Sequence, residues 1–223
     1  MNKKIVIAID GPAGSGKSTI SKALAEKLKV PYLSTGSLYR ALAYKCIKNN
    51  MDAENSEVAE WIAKNTNVTI LFKDGKQIVM LDGIDITNKL SLDEVSRNAS
   101  KISVHKVIRE KMLDIQRNFA DKNSVIMDGR DIGSVVLPMA DFKFYLDATP
   151  EVRAKRRHID LINAGNNISY EEVLKEIKER DFRDKNRAIS PLIVAKDAII
   201  IDCSNLTIED VLNEFLKYLN RFN

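Results

Sequence analysis

Cysteine and histidine are scarce in this 223-residue chain, with two of each. Cys46 and Cys203 lie far apart and follow no metal-ligand spacing, so neither a disulfide framework nor a zinc site is expected, and a reducing compartment fits. His105 and His158 read as surface or packing residues. Long apolar runs are missing as well. The stretch before Asp10 holds only about five apolar residues, too few for a secretory signal, and no later run approaches membrane-spanning length. A cytoplasmic protein with no membrane partner is expected. Neither sign of charge dominates: 35 Lys and Arg stand against 31 Asp and Glu, for a net charge of +4. Internal repeats and low-complexity segments are absent, and 44% hydrophobic with 30% charged residues is the balance of an ordered globular chain. The length suits one α/β domain with an insertion, or a core with a small second lobe.

Against that background one segment stands out. Gly11-Pro12-Ala13-Gly14-Ser15-Gly16-Lys17-Ser18 is a full G-x-x-x-x-G-K-[ST] phosphate loop, followed by Thr19 and preceded by the apolar strand Ile5–Ile9. Glycines let the backbone turn its N–H groups inward on an anion. A helix beginning near Lys17 adds its positive end, and Ile20, Ala23, Leu24, Lys27 and Leu28 carry it at helical spacing. Lys17 can reach the outer phosphates of a nucleoside triphosphate, and the Ser18 hydroxyl can ligate the bridging magnesium.

Apolar strands alternate with helical stretches along the chain. Strands are expected at 31–34, 124–128, 142–147 and 198–202, and helices at 38–49, 52–65, 91–99, 103–121, 149–163, after Ser169 and after Thr207. Thr149-Pro150 and the box Ser169-Tyr170-Glu171-Glu172 are helix starts. Between 68 and 87 the period changes. Asp74-Gly75 and Asp82-Gly83 supply the positive φ that tight hairpins need, so this stretch reads as a small antiparallel meander. The fold class is α/β, with a parallel sheet covered by helices on both faces.

Six of the twelve arginines (153, 156, 157, 180, 183 and 187) fall within 35 residues. The arginine fork matches phosphate oxygens, so this charged segment with little apolar stripe reads as a mobile phosphate-handling lid. Three more clusters accompany it: Thr35-Gly36-Ser37-Leu38-Tyr39-Arg40, Asp128-Gly129-Arg130-Asp131-Ile132-Gly133 at the carboxyl end of a strand, and Arg180-Asp181-Phe182-Arg183-Asp184-Lys185-Asn186-Arg187.

These motifs, with the phosphate loop and Ser190-Pro191-Leu192, resemble the bacterial cytidylate kinase family in the same order over nearly the whole chain. The resemblance implies a P-loop kinase fold whose 68–87 meander enlarges the monophosphate-binding region. It also implies transfer of the γ-phosphoryl group of ATP to CMP or dCMP. One domain over 1–223 is then expected, with a core (about 1–35, 101–150 and 188–223), a monophosphate-binding region (about 36–100) and a lid (about 151–187). Carried over residue by residue, Arg40, Arg130 and Arg187 resemble the clamp on the acceptor phosphate, and Thr35 and Asp131 the sugar contacts. Ser100, Arg109, Arg180 and Asp184 resemble the cytosine-reading group. The base chemistry agrees: a carboxylate such as Asp184 suits the N4 amino group, and an arginine such as Arg109 suits N3 and O2. Many members carry glycine after the loop lysine, whereas this chain has Ser18, and Thr35 stands where serine is common.

Phosphoryl transfer needs charge neutralisation and alignment more than acid–base chemistry. Lys17 is expected to hold the β- and γ-phosphates with Mg2+, Ser18 on the metal and Asp128 ordering its waters. Arg153, Arg157 and Arg183 are expected to swing over the transferring group as the lid closes. A P-loop switch is disfavoured because no guanine-specifying N/T-K-x-D segment occurs, and a nucleic-acid module because aromatics do not interleave with the arginines. A monomer is the default expectation.

Overall fold

The computed structural model describes residues 4–219. Five strands form a parallel sheet in the order β2-β6-β1-β7-β8: β1 Val6–Asp10, β2 Tyr32–Ser34, β6 Val125–Gly129, β7 Phe142–Asp147 and β8 Ile199–Asp202. Every residue of β1 is buried, as are all of β6 and Phe142–Leu146 of β7. Such continuously buried, mostly apolar runs belong to the middle of a sheet covered on both faces. Ile7 and Ile9 are wholly buried, and each contributes roughly 2–3 kcal/mol of apolar burial. A separate antiparallel sheet holds β3 Val68–Lys73, β4 Lys76–Leu81 and β5 Ile84–Asp85. Its two turns take the left-handed conformation at both central residues: φ is 52° and 73° at Asp74 and Gly75, and 50° and 83° at Asp82 and Gly83.

The chain divides into two compact units. One comprises the described residues up to Val6 together with Lys29–Met127. It holds α2 Thr35–Lys48, α3 Ser56–Lys64, α4 Asp93–Ile102, α5 Lys106–Lys122 and the meander. α2 packs on α4 and α3 on α5, and the stacked rings of Phe72 and Phe119, 5.1 Å apart, fix β3 to α5. The other unit comprises Ile7–Leu28 and the residues from Asp128 onward. It holds α1 Lys17–Leu28, a five-residue π-helical turn at Ile132–Val136, α6 Pro150–Asn163, α7 Tyr170–Asn186 and α8 Ile208–Leu219. Among the described residues no helix is long and apolar enough to cross a membrane.

Most boundaries match the sequence expectations within a few residues, and three features differ. α2 begins at Thr35 rather than near residue 38, because Thr35-Gly36-Ser37 enters the helix instead of forming a turn before it. The π-helical turn is absent from the pattern of the sequence. The arginine-rich pair α6–α7, read as carrying little apolar stripe, owns a small core. Ala154 and Leu161 meet Val173 and Ile177, with Ile168, Tyr170 and Leu174 against them. Thr149 caps α6 by accepting from the Val152 N–H, and Ser169 with Glu172 forms the capping box of α7.

Candidate active site

The phosphate loop leaves β1 at Gly11, whose φ is +147°. A Cβ there would lie 2.1 Å from the Leu146 carbonyl oxygen, so only glycine lets the loop pass this close to β7. At the other end of the loop, α1 starts at Lys17. The Lys17 ammonium is buried and folds back over the loop, donating to the Pro12 carbonyl at 2.6 Å and to Ser15 Oγ at 3.2 Å. Burial, and then the charge of Arg130, push it well below the ordinary ammonium range, against the pull of Asp128 and Asp10. Both partners are neutral, so an anion in the loop is the stronger attraction for this cation.

Ser18 Oγ donates to Asp128 Oδ2 at 2.7 Å across 110 positions of sequence. A hydroxyl beside a buried carboxylate at the carboxyl end of β6 is an all-oxygen donor pair of the kind a small hard cation accepts, the rest of its shell coming from phosphates and water. The residues therefore fit Mg2+. Among the described residues no group of three or more His, Cys, Asp or Glu side chains could hold a metal ion.

Two contacts brace the loop from outside. Cys203 Sγ donates to the Ser15 carbonyl at 3.1 Å, and Arg156 in turn donates to the Cys203 carbonyl at 2.8 Å. Arg153 gives Nε to the Ala148 carbonyl and Nη1 to the Ala13 carbonyl of the loop, and it grips both oxygens of Asp181 at 2.9 and 2.6 Å. Its side chain is 3% exposed. In this conformation the Arg153 guanidinium is an anchor between loop and α7, committed to the Ala13 carbonyl and to Asp181. Arg157 is half-buried, whereas Arg183 lies exposed on α7 beside Lys178, Glu179 and Phe182.

The same unit gathers five residues expected on the acceptor. Arg130 Nε donates to Asp184 Oδ2 at 2.8 Å, Arg187 lies 3.6 Å from Asp131 and 3.9 Å from Asp184, and Arg180 adds its charge beside Asp184. Burial pushes the Asp184 carboxyl up, but Arg130, Arg180 and Arg187 outweigh it and hold the group below its ordinary value, hence ionised. The unit thus presents a buried anion inside a cage of arginines.

In the first unit, Thr35 is buried at the start of α2, and the Arg40 guanidinium lies one turn on over Gly36. Arg109 on α5 is buried, donates to the Ser103 carbonyl at 3.2 Å and lies over the ring of Tyr39, 5.5 Å from its centroid. Ser100 on α4 is buried, and its hydroxyl finds no hydrogen-bond partner among the described residues.

Residues 7–221 match the family described as cytidylate kinase. The chain belongs to the cytidylate kinase family. Cytidylate kinase of Caldicellulosiruptor saccharolyticus is 49% identical over 215 residues, covering 96% of this chain and 95% of the relative. That of Clostridioides difficile is 46% identical over 216 residues, covering 97% and 98%. The solved structure of shikimate kinase from Bacteroides thetaiotaomicron superposes with a TM-score of 0.51 at 13% identity over 98% of this chain and 99% of that one, a likeness of fold.

Several residues that contact the expected site residues within each unit escape a reading of motifs. Tyr39 stands inside a motif, yet its ring beneath Arg109 depends on the packing of α2. Gln77 of β4 accepts the Ser34 N–H at 2.8 Å, so the meander bonds to the residue just before Thr35. Asp181 and Cys203 act through Arg153 and the loop. Asp10 has one visible signal, an acid at the carboxyl end of a wholly apolar strand. His105 and His158 meet the Ala53 and Ile168 carbonyls and have packing roles.

Proposed function

We propose that this chain transfers the γ-phosphoryl group of ATP to CMP or dCMP, giving CDP or dCDP and ADP. The observation that carries the acceptor choice is the ionised, buried Asp184 within the arginine cage. An ionised carboxylate accepts from the N4 amino group of cytosine and repels the O4 carbonyl of uracil, a mismatch of roughly 1–3 kcal/mol per desolvated group.

The loop backbone from Gly11 to Thr19 receives the triphosphate. Lys17 leaves Pro12 and Ser15 for the β- and γ-phosphates. Ser18 and Asp128 would hold Mg2+, which when bound neutralises phosphate charge. Arg40, Arg130 and Arg187 take the acceptor phosphate, Thr35 and Asp131 the sugar, and Ser100, Arg109, Arg180 and Asp184 the base. Arg157 and Arg183 come to the transferring phosphoryl when the 151–187 segment closes, and Arg153 joins them if its Asp181 pair opens. Closure excludes water, which would otherwise compete as acceptor. The chain is read as one kinase domain acting as a cytoplasmic monomer, without nucleic-acid or membrane partners.

The test is ADP formation from ATP over a panel of nucleoside monophosphates, with Mg2+ titrated and the oligomeric state read by sedimentation. CMP and dCMP are expected to be the best acceptors, and faster phosphorylation of UMP or AMP would overturn the assignment.

A further inference from the structure

Asp10 ends β1 one residue before the phosphate loop and is 3% exposed. Its carboxylate accepts from main chain 122 and 123 positions away: Oδ1 takes the Ile132 N–H at 2.8 Å and Oδ2 the Gly133 N–H at 2.7 Å. These are the first two amides of the π-helical turn at Ile132–Val136, and the carboxylate satisfies both. Gly133 leaves the turn closely packed on both sides. A Cβ there would lie 3.2 and 3.3 Å from Lys143 Cδ and Cγ and 3.4 Å from Asp10 Oδ2, and Lys143 is itself held by both oxygens of Asp197 at 2.8–2.9 Å. The closing glycine of Asp-Gly-Arg-Asp-Ile-Gly thus has a physical reason. The two clamped amides directly follow Arg130 and Asp131, the residues that meet Asp184 and Arg187.

We propose that Asp10 is a positioning residue for the acceptor nucleotide, setting Arg130 and Asp131 relative to the phosphate loop that its own backbone enters one residue later. The inference rests on the reading of Arg130 and Asp131 as acceptor contacts. The charges around Asp10 are mixed. Lys17 faces it from α1, Asp131 and Arg130 from the clamped segment, and Tyr145 and Lys143 from β7, where Tyr145 is its register partner. Burial pushes its carboxyl up to about 6, against the two amide hydrogen bonds, with Asp131 adding to the push and Lys17 opposing it. A protonated carboxyl turns an O–H toward an N–H and loses one acceptor, so the clamp is whole above that value and weakens below it.

The experiment compares wild type with Asp10→Asn, Gly133→Ala and Arg130→Lys in the full chain, measuring KM for CMP, KM for ATP, kcat, thermal melting and the pH profile from about pH 5 to about pH 8. Asn keeps the shape of Asp10 but replaces one acceptor oxygen with a donor. Asp10→Asn is expected to raise KM for CMP about tenfold while KM for ATP stays within about twofold. The acid limb of kcat/KM for CMP should shrink in that variant. Because the CMP phosphate also titrates near there, the difference between the two profiles is the readout. Gly133→Ala keeps the carboxylate, moves the amide and should give the same split, which carries the test if Asp10→Asn does not fold. Equal shifts in both KM values, no shift in either, or an unaltered pH profile in Asp10→Asn would overturn the proposal. If Arg130→Lys raises KM for CMP and Asp10→Asn does not, the proposal alone falls. If Arg130→Lys leaves KM for CMP unchanged, the acceptor reading beneath it falls.

Discussion

The phosphate loop and the arginine cage both offer positive charge, but by opposite constructions. The loop uses main-chain N–H groups of consecutive residues, and its one cation, Lys17, rests on a neutral carbonyl and hydroxyl. The cage uses side chains from the end of β6, from α7 and from just past it, and it holds them against the carboxylates Asp184 and Asp131. Backbone donors need only local geometry and stay ordered when empty. Arginines converging from distant elements repel one another and need anions to stay in place, so the cage carries its own counter-charge, and the proposed function gives one of those anions, Asp184, the task of reading the base.

Variants at Lys17 and within the cage should therefore behave differently. The largest effect is expected for Lys17→Met, which should lower kcat by about a thousandfold in a coupled ADP assay. Its melting temperature should hold or rise, because removing a buried ammonium relieves a desolvation penalty. A matching loss of stability would erase the contrast with the cage. Arg153→Ala leaves Asp181 buried without its partner and should lower stability by about 3–5 kcal/mol in urea denaturation. Lost turnover at unchanged stability would instead assign the guanidinium to the phosphoryl group. Asp184→Asn should shrink the preference for CMP over UMP by about 10- to 100-fold in kcat/KM, leaving KM for ATP near wild type. Gln77→Ala, which removes the side-chain hydrogen bonds to the Ser34 N–H and carbonyl, should raise KM for CMP by about two- to fivefold.

The two buried acids also pull stability in opposite directions with pH. Asp184, held below the ordinary 3.8, contributes stability that is present above about that value and is lost as pH falls through the lowered one. Asp10, raised to about 6, binds its proton more tightly when folded, so its contribution is present below 3.8 and is lost as pH rises toward 6. Urea denaturation over that window should show a decline with rising pH that Asp10→Asn flattens.

What the sequence discloses follows the same division. The loop, the two Asp-Gly turns and the capping box of α7 are legible because each is satisfied within a few residues. The π-helical turn is not, since the acceptor for its first two amides is Asp10, on another strand. The core of α6–α7 is hidden for a related reason: each helix contributes only two buried apolar residues, and the stripe exists only when they meet. In the candidate site, the motif arginines are visible as residue types. That Arg153 is tied to Asp181 while Arg183 is exposed is a matter of tertiary partners.

The central claim, that a buried carboxylate caged by arginines selects cytosine, is tested most directly by competition. Wild type and Asp184→Asn would each be given CMP and UMP at equal concentration with limiting ATP, and the two diphosphates quantified. The account predicts CDP as the dominant product of wild type and a collapse of that preference in the variant. UDP equal to or above CDP from wild type, or an undiminished preference in Asp184→Asn, would contradict it.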